Sequence, residues 1–230
     1  MKIPLTKYGL PQVIAFPAMI LAIMVIVYIA GSKAIMSPTA VVVVELVSLM
    51  LLLWVLAFFR DPRREVPEGG DILVSPADGR VTDIEVVEEN DVIQGKALRI
   101  GIFLGIFDVH INRTSCAVRI DKITHRNGQY RNAMNPESGR VNESNDIAMT
   151  RLNEPTDPLL VRQVSGAVAR RIVCEAQIGQ NFACGQKFGM IKFGSRTELY
   201  LPARDDANLL VKVGDKVRAG ETILVRYSGQ

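Results

Sequence analysis

Apolar residues fall into two long blocks at the start of the chain and into short, interrupted segments thereafter. Between Lys7 and Lys33 lie 25 residues without a formal charge, including the run 13–30. A helix of that length reaches about 37 Å, enough to cross a hydrocarbon core of about 30 Å. Another 26 residues separate Lys33 from Arg60, interrupted by Pro38 near their start and by Glu45, and 46–59 is almost wholly apolar. Residues 1–59 are therefore predicted to form a membrane-anchoring helical hairpin, joined at 31–38. Glu45 costs about 2–3 kcal/mol if deeply inserted. The pattern thus fits a full span with Glu45 at the far interface, or a pair that dips into the bilayer without crossing it. Lys2 and Lys7 at one end, with Arg60, Arg63 and Arg64 at the other and only Lys33 in the turn, place both termini at the cytoplasmic face. A cleaved signal peptide fits poorly, because the first run is too long and a second follows.

Beyond a linker at 61–70 rich in Pro, Gly and charge, segments heavy in Val, Ile and Leu recur at 72–75, 80–87, 98–104, 118–123, 159–164, 168–176, 190–193, 209–213 and 222–227. Gly, Asn, Asp or Pro punctuates most gaps, as short strands with tight turns require. The stretch 127–145 has room for one short helix. The expected fold is mainly β, a sandwich or barrel spanning residues 60–230.

One internal repeat refines this picture. Residues 178–185 (Ile-Gly-Gln-Asn-Phe-Ala-Cys-Gly) and 213–220 (Val-Gly-Asp-Lys-Val-Arg-Ala-Gly) share the pattern apolar–Gly–polar–polar–apolar–x–x–Gly. Glycines six apart around an inward apolar residue suit a hairpin that needs positive φ at both ends. The pattern resembles the half-motif of lipoyl- and biotinyl-type barrel-sandwich domains. The lysine that such carriers present at a hairpin tip is not found here, so the likeness speaks to fold and not to a carrier role.

Charge narrows the function classes. The first 59 residues hold Lys2, Lys7, Lys33 and Glu45, which leaves 24 of the 27 basic and 23 of the 24 acidic residues to the body. A near-neutral domain lacks the broad positive field of a nucleic-acid binder. Three cysteines (Cys116, Cys174, Cys184) without a CxxC pair argue against a disulfide framework or a zinc site.

The candidate chemistry lies at Phe188-Gly189-Met190-Ile191-Lys192-Phe193-Gly194-Ser195-Arg196-Thr197. A Gly-Ser pair sits between two β-prone segments. In a strained loop the serine oxygen can attack the preceding carbonyl, giving an ester by N→O acyl shift. β-Elimination then cuts the chain, and loss of ammonia leaves a pyruvoyl terminus. Spacing alone favours an ordinary tight turn.

This string, with Arg170-Arg171-Ile172-Val173-Cys174, Ser75-Pro76-Ala77-Asp78-Gly79 and Phe107-Asp108-Val109-His110-Ile111-Asn112-Arg113, closely resembles the short bacterial branch of the pyruvoyl-dependent phosphatidylserine decarboxylase family. The resemblance spans most of 60–230 and extends to the apolar hairpin. It implies a proenzyme cut between Gly194 and Ser195 into a β chain, 1–194, and an α chain, 195–230, which pair as a heterodimer. It implies a lyase that forms a Schiff base between phosphatidylserine and the pyruvoyl group derived from Ser195. That group draws off the electron pair left by carbon dioxide, as pyridoxal phosphate does elsewhere, and phosphatidylethanolamine is released. No metal is implied.

His110, within the matching motif, is the expected proton carrier, whereas His125 reads as a solvated turn residue. Asp78, alone a turn aspartate, matches the aspartate of an Asp-His-Ser self-cleavage relay in longer family members. Those members carry two histidines three apart, and here Arg113 occupies the second position, which leaves the activator of Ser195 open. Arg113 and Arg196 adjoin catalytic candidates and are expected at the substrate's phosphate or carboxylate. The polar stretch 128–145 fits a lid over a lipid entrance or a plain connection. Two alternatives remain: a membrane-tethered barrel-sandwich adaptor without catalysis, and a decarboxylase of a related phosphoserine lipid.

Overall fold

The computed structural model describes residues 4–167, 171–192 and 194–228. Phe193 and the 168–170 portion of a predicted strand, with Arg170 of the quoted motif, lie outside them. The chain divides into two units between Pro62 and Arg63.

The first unit is a helical hairpin. A short 3-10 turn, Lys7–Gly9, leads into α1 (Leu10–Ser32), and α2 runs from Pro38 to Phe58. Ser37 caps α2 by accepting a hydrogen bond from the Ala40 amide, with Pro38 pre-set at the first helical position. Where the helices approach, Gly31 offers no Cβ to collide with Val41. Both helices are long and apolar enough to cross a membrane. Their apolar residues point all round: Leu21, Ile26, Leu46, Met50 and Leu53 are all exposed. A helix of that kind needs lipid or a protein core around it.

The second unit is mainly β. Its strands are β1 (Ile72–Val74), β2 (Gly79–Glu89), β3 (Gly95–Leu104), β4 (Ile111–Arg113), β5 (Val118–Arg126), β6 (Ser144–Arg151), β7 (Pro158–Val164), β8 (Ile172–Cys174), β9 (Asn181–Phe182), β10 (Lys187–Ile191), β11 (Ser195–Pro202), β12 (Ala207–Leu209), β13 (Lys216–Val217) and β14 (Ile223–Tyr227), with α3 (Ser138–Val141) between β5 and β6. Eight strands form a curled half-barrel in the order β13-β2-β3-β11-β7-β6-β5-β9, flanked by two three-stranded sheets, β1-β14-β12 and β4-β10-β8. Leu73 and Val225 of one small sheet, Phe188 of the other, and Ile102, Ile120, Val161 and Leu199 of the large one draw all three sheets into one core.

The order reads alike from both ends. β13-β2-β3-β11 matches β9-β5-β6-β7, and the small sheets correspond strand for strand, a pseudo-twofold arrangement with β11 and β7 at its centre. The repeated glycine motif builds equivalent turns. Gly179 and Gly185 have φ of 83° and 69°, Gly214 and Gly220 of 96° and 75°. The Gly179 amide donates to Ile120 O and the Ile120 amide to Gln180 O, while Gly214 and Asp215 exchange the same pair of bonds with Val81. The second glycines, 185 and 220, donate to Thr114 and Ser75 and lie against each other where the halves meet.

Several features differ from the sequence pattern. The strand expected at 209–213 is instead Ala207–Leu209, and β4 lies outside the expected segments. β6 escapes the pattern because Ser144, Asn145, Asp146 and Arg151 interrupt its apolar residues, and those polar side chains are buried within the sheet. The linker is also no free tether along its whole length: Arg64 forms a buried ion pair with Asp78, and Val66 packs against Gly185.

At Gly179 and Gly214 an added Cβ meets nothing within 4 Å, so only the backbone resists it. Gly179→Ala and Gly214→Ala are each expected to lower stability by about 1–2 kcal/mol through left-handed strain, read as a shift of the urea unfolding midpoint at unchanged slope.

Candidate active site

Ser195 opens β11, opposite Leu104 of β3, and one residue later β11 also pairs with β7. The residue before it, Gly194, has φ 64°, a left-handed conformation that sets the change of direction into the strand. Ser195 is fully buried, and its Oγ has no hydrogen-bond partner among the described residues. Gly166 lies so close to the Gly194 carbonyl oxygen that a Cβ there would collide with it, and Ala133, from the loop between β5 and β6, closes the same spot. The Gly194 carbonyl oxygen thus lies against Gly166 and Ala133, beside the buried Ser195 hydroxyl.

A chain of buried amides runs beside this point. Asn145 Nδ2 donates to Gln163 Oε1 at 3.1 Å, Gln163 Nε2 to Asn112 Oδ1 at 2.9 Å, and Asn112 Nδ2 to Thr197 Oγ1 at 2.9 Å. It ties β6, β7, β4 and β11 together two residues from Ser195. Buried amides are tolerated when satisfied in this way, and they then specify register. Asn112 lies within the motif quoted above; Gln163 announces itself only as one of two polar side chains, with Arg162, in a mainly apolar strand.

β4 links this cluster to a second one. His110, fully buried, precedes β4; its Nδ1 donates to the Asp108 carbonyl at 2.9 Å, and its own carbonyl accepts from the Ile191 amide. At the other end of β4, Arg113 Nη1 donates to Gly185 O at 2.9 Å and its Cδ packs on Gly220. Asp78 receives both its contacts here. Arg64 Nη2 reaches its two oxygens at 2.9 and 2.8 Å, and the Ala219 amide donates at 2.8 Å. Burial outweighs these partners and leaves the Asp78 carboxyl above the ordinary 3.8. The structure therefore joins Asp78 to Arg64 and to the turn that holds Arg113. Its hydrogen bonds reach neither Ser195 Oγ nor His110.

Arg196, expected from the sequence at the substrate, is instead fully buried on the outer side of β11. Its Nε donates to Glu198 at 2.7 Å, Nη1 to Thr82 at 2.7 Å, and Nη2 to both oxygens of Asp83 at 2.7 Å. Arg99 pairs with Asp83 and Glu85, while Arg162 pairs with Asp146 and Glu198. Burial alone would raise the Asp83 pKa, but the Arg196 and Thr82 hydrogen bonds and the charges of Arg196 and Arg99 bring it below the ordinary 3.8. The 128–143 loop covers this layer, with Gly139 against the Glu198 carboxylate. His125 is half exposed, 3.5 Å from Glu143. Among the described residues no cluster of His, Cys, Asp and Glu suits a metal ion.

Comparison with known proteins adds the family. The model of the family described as Phosphatidylserine decarboxylase matches residues 51–225. A "Phosphatidylserine decarboxylase proenzyme" of Rhodopirellula baltica is 40% identical over 225 residues, 98% of this chain and 89% of its own length. Proteins of the same name from Desulfotalea psychrophila and Carboxydothermus hydrogenoformans are 42% and 41% identical over 182 and 180 residues, covering 79% and 78% of this chain and 83% of each of theirs.

The charge layer carries its own test. Because the Asp83 pKa is lowered by folding, its contribution is complete above 3.8 and disappears as pH falls through its lower folded value. Asp83→Asn is expected to destabilise the neutral protein by about 3 kcal/mol, the low end for a broken buried pair because Glu198 still holds Arg196. The variant should also show a flatter stability profile in acid, checked by urea melts across pH.

Proposed function

The chain belongs to the phosphatidylserine decarboxylase family, and on that footing we propose that it is a self-processing, pyruvoyl-dependent decarboxylase that turns phosphatidylserine into phosphatidylethanolamine and carbon dioxide. The observation that carries this reading is the geometry of the Gly194–Ser195 peptide: a left-handed glycine leads into a buried strand whose first hydroxyl has no partner among the described residues. An orphaned buried hydroxyl next to the carbonyl it would attack fits the precursor of a pyruvoyl group.

The Ser195 hydroxyl attacks the Gly194 carbonyl carbon, exchanging the peptide C–N bond for an ester and freeing the Ser195 amine. β-Elimination releases 1–194 as its carboxylate and leaves dehydroalanine at 195, whose imine tautomer water hydrolyses to the ketone and ammonia. Gly166, lacking a Cβ, leaves room for the carbonyl oxygen as its carbon becomes tetrahedral. Once formed, the terminal keto group supplies the electron sink for decarboxylation. His110, with Nδ1 engaged by Asp108, exchanges protons through Nε2. Its full burial excludes water from the proton path. Asp78 acts as a positioning residue through Arg64 and the Ala219–Gly220 turn, and Arg113, on the strand that follows His110, faces the anionic headgroup. Arg196 contributes by fixing β11 through Asp83 and Glu198. The apolar hairpin tethers the catalytic unit to the membrane that holds its substrate, at the cytoplasmic face.

Purified protein should run as two pieces, the smaller the 36 residues from Ser195 to the C-terminus, with a keto group blocking its Edman degradation. Ser195→Ala should remain one inactive chain. An uncut chain that still releases carbon dioxide would reject the mechanism. His110→Ala is expected to slow turnover by about 10²–10⁴-fold; normal turnover in cleaved His110→Ala would reduce this histidine to a packing role.

A further inference from the structure

Between β3 and β4 the chain makes a short turn at residues 105–108. It is braced from within: the Gly105 amide donates to Asp108 Oδ2 at 2.9 Å, and the Asp108 amide to the Gly105 carbonyl at 2.9 Å. The two side chains between these anchors, Ile106 and Phe107, are 49% and 72% exposed. Single exposed apolar residues are commonplace. Here two large ones stand together at the tip of a rigid turn, where water offers them nothing.

Their place in the fold is specific. Leu104, just before the turn, is the register partner of Ser195. Asp108, which closes the turn, also supplies the carbonyl that holds His110 Nδ1. The finger therefore shares its seat with the two residues on which the proposed chemistry depends. Its flank is basic: Lys216 Nζ lies 3.9 Å from Asp108 Oδ1, and Arg80 pairs with Lys216 in register and donates to the Gly214 carbonyl. The side chain of Lys216 is 73% exposed. Asp108 closes the loop with Oδ2 and faces Lys216 with Oδ1, so the apolar tips stand in front with Lys216 and Arg80 beside them.

We propose that Ile106 and Phe107 form a bilayer-docking finger that seats the catalytic unit on an anionic lipid surface, with Lys216 and Arg80 facing the headgroups. An apolar tip with a basic flank matches the depth profile of such a surface: hydrocarbon below, negative headgroups above. The inference rests on the lipid-decarboxylase reading and deepens it. Docking at this turn brings the headgroup layer to the level of Ser195 and His110, a task that a tether alone does not perform. Neither finger residue takes part in the chemistry.

The test uses the full chain in phosphatidylcholine vesicles containing phosphatidylserine, and separately dihexanoyl phosphatidylserine as a dissolved monomer. Ile106→Ser/Phe107→Ser is expected to be cut as the parent is and to act on the soluble substrate within about twofold, while its turnover of vesicle lipid falls about tenfold or more, through the apparent KM. Unchanged vesicle turnover would overturn the proposal, and so would an equal loss on both substrates, which would make the turn part of the pocket. A parent inactive on both substrates would refute the decarboxylase reading. Insertion has a readout independent of activity. Trp54 is the single tryptophan, so Trp54→Phe/Phe107→Trp places one fluorophore at the tip. Brominated lipids should quench it in anionic vesicles, and less so after Lys216→Glu. Emission unquenched in those vesicles overturns the docking even if catalysis is intact.

Discussion

β11 is held on both edges and both faces, and the rest of the site is arranged around that constraint. The strand pairs with β3 along its length and with β7 from Arg196 onward, and Ser195 through Leu201 are buried on both faces. A strand held on both edges and both faces does not adjust to the residue before it. Gly194 absorbs the mismatch in a conformation that other residues take only with strain, and Ser195 keeps a hydroxyl with no partner among the described residues. A buried unbonded hydroxyl costs on the order of 1–3 kcal/mol. Natural proteins retain such groups mainly where they are used.

Two polar layers keep β11 in place, and they differ in kind. The outer one is ionic: Arg196, Asp83, Glu198 and Arg162 bury full charges, which is tolerable because each guanidinium finds carboxylates at hydrogen-bond distance. The inner one is neutral, the amide chain from Asn145 to Thr197. Charges beside the proposed cleavage point would bias its chemistry in both directions. Neutral amides hold register there without adding net charge.

The pseudo-twofold order explains why one residue can touch both repeats. Gly185 and Gly220, the second glycines of the two turns, meet at the centre, and Arg113 lies between them, bonded to one and packed on the other. The duplicated framework is symmetric, whereas the residues placed on it are not. Asp78 and Arg64 gather at one turn, and a central strand of that same half opens on Ser195, a residue with no counterpart in the other. A symmetric scaffold supplies rigidity, and its broken symmetry supplies a site.

The chain by itself determined what depends on local pattern. The apolar runs gave the hairpin, alternation and turn residues gave most strands, and the glycine spacing gave four left-handed positions that the backbone adopts. The Gly-Ser string and its companion motifs pointed to the family. What the order of residues could not convey was which side of a fully buried strand each polar group faces. Arg196 and Ser195 are neighbours in sequence, yet alternation along β11 sends the guanidinium into the outer charge layer and the hydroxyl toward the inner one. β6 and the Asn145–Gln163–Asn112–Thr197 chain escaped notice for the same reason: polar residues look like surface until strands distant in sequence bring them partners. Partnership at long range is a property of the sheet order, and only the folded sheet decides it.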